Sequence, residues 1–165
     1  MAKNAIYRVK YRRRREGKTD YRRRLELLKS GLPRAVVRKT NTRIIVQFVE
    51  YHEDGDRVIV TVTSDILKRY GWTRSFKSVP AAYLAGYLAG KKAKEKGIER
   101  AVLDIGRHPA IKGSRVFAAL KGMLDAGVDI PHGEGIFPDE DRIVGKHLGE
   151  DVEGMFNEVK SKLEV

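Results

Sequence analysis

Arginine and tyrosine interleave through residues 7–24 in a pattern suited to one chemistry, the gripping of phosphate and the stacking of bases. The residues are Tyr7, Arg8, Lys10, Tyr11, Arg12, Arg13, Arg14, Arg15, Lys18, Tyr21, Arg22, Arg23 and Arg24. A guanidinium fork matches a phosphate bidentately and lies flat on a base, and a phenol ring offers a second stacking face. Residues 1–43 hold 16 Lys/Arg against 3 Asp/Glu, whereas residues 44–165 hold 18 against 19, so the whole-chain charge of +12 belongs to one segment. Dense positive charge of this kind binds polyanions by releasing condensed counterions, a salt-sensitive and sequence-independent force. Three other readings stay open for the segment, the first a non-specific DNA or chromatin binder. A solubility tail would not need the interleaved aromatics, and a membrane-surface anchor would want an amphipathic helix with bulky apolar residues.

A second candidate is the loop Gly106–Arg115, read as joining a strand end to a helix start, where ligands of α/β sheets tend to bind. Ser114 is placed to cap the helix, with Arg107, Lys112 and Arg115 near its free N–H groups to receive a phosphate. The order of residues is not that of a Walker loop, and a capping loop with incidental charge is an equal reading. Catalysis would have to use Asp104, His108, Asp129, His132, Glu134 and His147. Carboxylates round a mixed sheet can hold two Mg²⁺ ions as nucleases do. Only Asp104 falls at a strand end, however, and no HExxH or GxSxG signature is present. Neither an enzyme nor a metal or other cofactor is expected. Trp72 and Phe76 read as core or lid residues rather than stacking platforms.

With no cysteine among 165 residues, disulfides, thiolate metal sites and a cysteine nucleophile are excluded. No apolar stretch approaches the roughly 20 residues of a membrane span. No apolar region follows the basic start, so no secretory signal is expected either. Abundant Lys, Arg and Glu with few Asn, Gln and Met resembles the bias of heat-adapted proteins.

The elements that must position these residues follow from periodicity. Residues 1–18 carry no sustained apolar period and read as an extended arm that orders on a partner. Thr19 or Asp20 caps a short helix over residues 19–29, ended by Ser30-Gly31 and Pro33. Strands are expected at Arg34–Lys39, Arg43–Tyr51 and Arg57–Thr63, joined by the turns Thr40-Asn41-Thr42 and Glu53-Asp54-Gly55-Asp56 in an antiparallel meander. Ser78 and Pro80 open a helix that closes at Gly97, its Lys91, Lys92, Lys94 and Lys96 gathered where the helix dipole favours cations. Gly86 and Gly90 in that helix suggest close packing on a sheet. A short strand (Ala101–Ile105), a helix from Ser114 to Ala126 and a last helix from Asp151 to Leu163 complete the chain. The fold class is α/β, a mixed sheet with helices packed on it, plus a basic N-terminal extension and a helical C-terminal tail. The expected division is a basic arm and short helix (1–31), an α/β core (32–127) and an acidic loop with C-terminal helix (128–165).

Three segments carry a resemblance to a known family: KTDYRRRLELLKSGLPRAVVRKTNTRIIVQ (18–47), SVPAAYLAGYLAGKKA (78–93) and AVLDIGRHPAIKGSRVFAALKGMLDAGVDIPHGEGIFPDEDRIVGKH (101–147). They resemble the archaeal branch of the universal large-subunit ribosomal protein family numbered eighteen in bacterial counting, whose eukaryotic cytosolic counterpart carries 5S ribosomal RNA. The resemblance implies a ribonuclease-H-like arrangement with helices on both faces of the sheet, without nuclease chemistry. It implies a cytoplasmic, ribosomal protein that binds 5S rRNA in the central protuberance and ties it to large-subunit rRNA beside other large-subunit proteins, with no membrane or small-molecule partner. On that footing Arg34, Arg38, Lys39, Asn41 and Arg43 add contacts along one edge, and the Thr40–Thr42 turn meets backbone or 2′-OH groups, which tell RNA from DNA. The stretch from Asp125 onward, with 11 Asp/Glu against 4 Lys/Arg, is expected to face solvent or a basic neighbour.

Overall fold

Alternating β-branched residues build the sheet, and their alternation decides which face is covered. The computed structural model describes residues 4–164. Strands β1 (Arg34–Lys39), β2 (Ile44–Glu50) and β3 (Arg57–Thr63) form the meander, and β4 (Val102–Asp104) joins the other edge of β1 in parallel, giving the order β3-β2-β1-β4. Ala35, Val37, Ile44, Val46, Phe48, Val60 and Val62 point into one core, while Arg34, Val36, Arg38, Gln47, Val49 and Val58 take the other face.

The core face is covered by helices α3 (Val79–Glu95) and α4 (Arg115–Asp125). Ser78 Oγ accepts from the Ala81 N–H, Pro80 sits in the first turn, and Gly97 at φ +80° follows the end. Helix α3 is buried nearly all round, which fits a central helix with sheet on one side and helices on the other. The Gly86/Gly90 pair packs on α4, not on the sheet as expected. A Cβ on Gly86 would lie 2.1 Å from the Ala119 carbonyl oxygen, and one on Gly122 would lie 2.2 Å from that of Tyr83. Glycines on both helices let the two backbones meet.

The C-terminal segment belongs to the same core. Helix α5 (Glu140–Val144) contributes Ile143, and α6 (Glu150–Glu164) buries Val152, Phe156, Val159 and Leu163 at helical spacing. Lys91 Nζ donates to the carbonyls of Leu163 and Glu164, each at 2.7 Å, so one of the clustered lysines caps the end of α6. Tyr83 bridges α3, α4 and α6: its ring lies 5.5 Å from Phe156, and its hydroxyl donates to Asp125 at 2.8 Å. Burial, with that bond to Asp125, pushes its phenol well above the ordinary range. Trp72 is wholly buried, as a core residue.

The N-terminal arm departs from the extended form. Arg12–Arg15 make one helical turn, α1, which Gly17 at φ +66° closes while the Lys18 and Thr19 N–H groups bond the Arg13 carbonyl. Glycine is the residue that makes this left-handed reversal at no steric cost. Helix α2 (Tyr21–Leu28) is capped by Asp20, which accepts from the Arg22 and Arg23 N–H groups. No residue of α2 is buried; it lies over the second sheet face across a cleft floored by Val36, Val49 and Val58. Among the described residues no helix packs flush on that face, unlike the two covered faces the resemblance implies.

Candidate nucleic-acid interface

The arginines of the first 43 residues separate into two populations. The first faces inward, along the second face of the sheet. Arg34, on β1, is 4% exposed. Its Nη1 donates to Asp104 at 2.9 Å and its Nη2 to Asp56 at 2.5 Å. Arg38 lies on the same strand face, and donates to the other Asp104 oxygen at 3.0 Å and to the Asp104 carbonyl at 2.6 Å. Arg24 of α2 grips Asp56 bidentately at 2.7 and 2.9 Å. The result is a ladder, Arg24–Asp56–Arg34–Asp104–Arg38, that runs from α2 across the sheet to β4.

Its energetics follow from burial. Desolvation alone would raise the Asp104 carboxyl, but the charge of Arg38, the Gly106 N–H and the bonds from both arginines outweigh it, and the group is held below the usual carboxylate range. Hydrogen bonds from Arg24, with help from Arg34, likewise hold Asp56 low despite some desolvation. Arg34, expected from sequence to touch RNA, is therefore an internal counter-ion, out of reach of a ligand in this structure. Arg24 and Arg38 are tied down in the same way. Arg43 pairs with Asp65, and Arg115 donates to the Lys77 carbonyl at 3.1 Å.

The second population faces outward. Arg14, Arg22, Arg23 and Arg107 converge on a concavity of about 530 Å³, completed by Asp20 and Tyr21. Arg107 comes from the loop that follows β4, far along the chain from α2, and its guanidinium lies against Gly17, where an added Cβ would stand 3.4 Å from Nη1. The arm and Arg107 of the Gly106–Arg115 loop, separate candidates in the sequence, meet at one surface. Tyr11 tilts against Tyr21 with ring centroids 5.6 Å apart, and Arg13 Nε donates to Thr19 Oγ1 at 2.8 Å, folding the arm onto the start of α2. Tyr7, Arg8, Lys10, Arg12, Arg15 and Lys18 are all exposed on the arm. Ile6, Val9 and Leu25 are exposed beside them. This apolar surface is missed from sequence, although it is interleaved with the same basic run.

The rest of the loop is positioned by histidine. The Lys39 N–H donates to His108 Nε2 at 3.3 Å, so the imidazole is an acceptor and closes the loop onto the end of β1. Burial, then the charges of Lys39 and Arg38, hold His108 below its ordinary range. Lys112 is exposed near the tip. Ser114 precedes α4, but its hydroxyl makes no capping bond and is buried without a partner. It therefore does not cap the helix as expected. In the Thr40–Thr42 turn, Thr40 Oγ1 accepts from the Thr42 and Arg43 N–H groups and leaves Asn41 exposed.

The residues weighed for catalysis stay apart. Asp104 is saturated by guanidinium groups, Asp129 pairs with Arg100 at 2.9 Å, and His132 Nδ1 bonds the Ile130 carbonyl at 2.8 Å. Among the described residues no three His, Asp or Glu side chains gather to hold a metal ion, and no helix is long and apolar enough to cross a membrane.

Fold and surface together define a class: a small α/β protein whose outward arginines converge beside tyrosines and whose inward carboxylates are neutralised. Comparison with known proteins gives the family within that class. Residues 5–98 and 91–133 match the family described as ribosomal large subunit proteins 60S L5 and 50S L18. The chain is 58% identical over 148 residues, 90% of its length and 76% of the relative's, to the large ribosomal subunit protein uL18 of Korarchaeum cryptofilum. It is 49% identical to uL18 of Methanothermobacter thermautotrophicus over 96% of its own length and 82% of the relative's. With uL18 of Aeropyrum pernix it shares 52% identity over 96% and 74% of the two chains. The chain belongs to this family and is a structural constituent of the large ribosomal subunit.

Proposed function

We propose that this protein binds 5S rRNA and anchors it to large-subunit rRNA in the central protuberance of the cytoplasmic ribosome, beside other large-subunit proteins and without catalysis. The observation that carries the reading is the convergence of Arg14, Arg22, Arg23 and Arg107 on one concavity next to Tyr11 and Tyr21. Guanidinium groups gathered at a single concave surface fit a sharply turned phosphate backbone, and the neighbouring rings offer stacking faces for the unpaired bases such a turn exposes. Tyr7, Arg8, Lys10, Arg12, Arg13, Arg15 and Lys18 extend that surface along the arm. Lys39, Asn41 and Lys112 extend it past the end of β1, where the exposed Asn41 amide meets 2′-OH groups. Arg24, Arg34 and Arg38 shape the surface from within, while Arg43 is held at the surface by Asp65 and Arg115 by the Lys77 carbonyl. Exposed acidic side chains of α6, Asp151 and Glu158 among them, keep phosphate off that helix.

The test is binding of the full chain to 5S rRNA at near-physiological salt with transfer RNA in excess. Retained binding supports specific recognition. Binding abolished by the competitor would reduce the protein, outside the ribosome, to a generic polycation and remove the 5S assignment.

A further inference from the structure

Helix α2 supplies Arg22 and Arg23 to the concavity, and Tyr21 as well, yet none of its residues is buried. A helix this short is marginal on its own, so something other than its own propensity must fix where it points. Leu27 and Leu28 are half-buried, and the Ser30 hydroxyl bonds only to Leu27 and Leu32 close by in the chain. The directional attachment is Arg24. Both of its Nη atoms reach Asp56, a residue 32 positions on that sits at the start of β3, and the same carboxylate receives the buried Arg34. A planar fork gripping both oxygens of a carboxylate sets angle as well as distance, which a single contact does not.

We propose that Asp56 is a positioning residue for RNA recognition: it holds α2 at the angle that brings Arg22 and Arg23 onto the concavity shared with Arg14 and Arg107. This rests on the RNA-binding reading above and makes a demand that simple electrostatics does not. Asp56 is an acidic group close to a basic surface, so removing its charge raises the net charge by one and, by counterion release alone, tightens binding to any polyanion. Positioning requires the opposite for the specific RNA. In Asp56→Asn the 5S rRNA affinity of the full chain falls about tenfold, the lower end of what a charge-assisted hydrogen-bond pair contributes. Transfer RNA affinity stays level or rises.

The experiment pairs these affinities with amide hydrogen exchange of the free protein. The expected result is faster exchange across residues 21–28 in Asp56→Asn with α3 unchanged, a lowered 5S-to-transfer-RNA affinity ratio, and recovery of both in Asp56→Glu. Arg24→Gln, which leaves Arg34 with both of its carboxylates, releases α2 in the same way and keeps the proposal falsifiable should Asp56→Asn fold poorly. Unchanged exchange over α2 in both variants overturns the proposal, as does an unchanged or higher 5S preference with α2 released. If the unaltered protein shows no 5S preference, the functional reading fails by itself, and the exchange over α2 alone then decides whether Asp56 positions that helix.

Discussion

Arg22 and Arg24 stand two residues apart on one helix and serve opposite ends. Arg22 opens onto solvent in a concavity with three other arginines, while Arg24 is folded under the helix onto Asp56. The same contrast recurs between Arg107, exposed on its loop, and Arg34, buried on β1. Residue type and local charge density are alike in each pair. What separates them is a carboxylate brought in from elsewhere in the chain: Asp56 reaches Arg24 and Arg34, and Asp104 reaches Arg34 and Arg38. A basic sequence segment is thus not a basic surface until its internal counter-ions are subtracted.

The sharpest way to break the comparison is Arg34→Ala. It leaves Asp104 buried with only Arg38 beside it, and loss of one partner from a buried pair costs about 3 kcal/mol. Chemical denaturation is expected to show that loss, whereas Arg22→Ala leaves the midpoint where it was. Equal, small effects of the two substitutions would erase the distinction.

A milder probe reaches the inward set through the backbone. Gly106 sits at φ +59°, and a Cβ there would lie 2.9 Å from the Arg38 guanidinium carbon. Gly106→Ala both strains the turn and displaces the far end of a flexible side chain, for a cost of about 1 kcal/mol in the same denaturation assay. The same substitution at Gly55, with open space around it, is expected to meet no such neighbour.

The smallest expected effect is a pH dependence at the junction of the two sets. Burial, then the Lys39 and Arg38 charges, favours the neutral form of His108, which accepts from the Lys39 N–H in the folded chain. Below about pH 6.5 the unfolded chain takes up a proton that the folded one refuses, and stability declines from there toward the lower folded value. His108→Gln flattens that slope below about pH 6.5 in thermal melts; an unchanged slope would place the titration elsewhere.

Much of the scaffold is legible in the sequence. Ser78, Pro80 and Gly97 mark α3 with the chemistry the ends of a helix require, and the alternation in Arg57–Thr63 marks β3 and its inward residues. The family resemblance, carried by three long segments, holds across the chain. Local signals fail where distant residues decide. Nothing around Ser114 shows that its hydroxyl turns into a buried, partnerless place. Nothing around Gly86 shows that Gly122 stands opposite and draws α3 onto α4. The arginines of the concavity stand out individually, but their meeting does not, because Arg107 reaches Gly17 only through the parallel pairing of β4 with β1. Asp56 reads as a turn residue, and its role as a shared counter-ion has no sequence signature.

The central claim is that the outward arginines, and not the inward ones, neutralise phosphate. Its most direct test is the salt dependence of 5S rRNA affinity for the full chain, for Arg14→Gln/Arg22→Gln/Arg23→Gln, and for Arg38→Gln. The slope of log affinity against log salt is expected to shrink by between about two and three in the triple variant, at roughly 0.7–0.9 for each phosphate no longer neutralised. In Arg38→Gln it stays unchanged even where stability falls. A slope that shrinks equally in both, or in neither, would contradict the account.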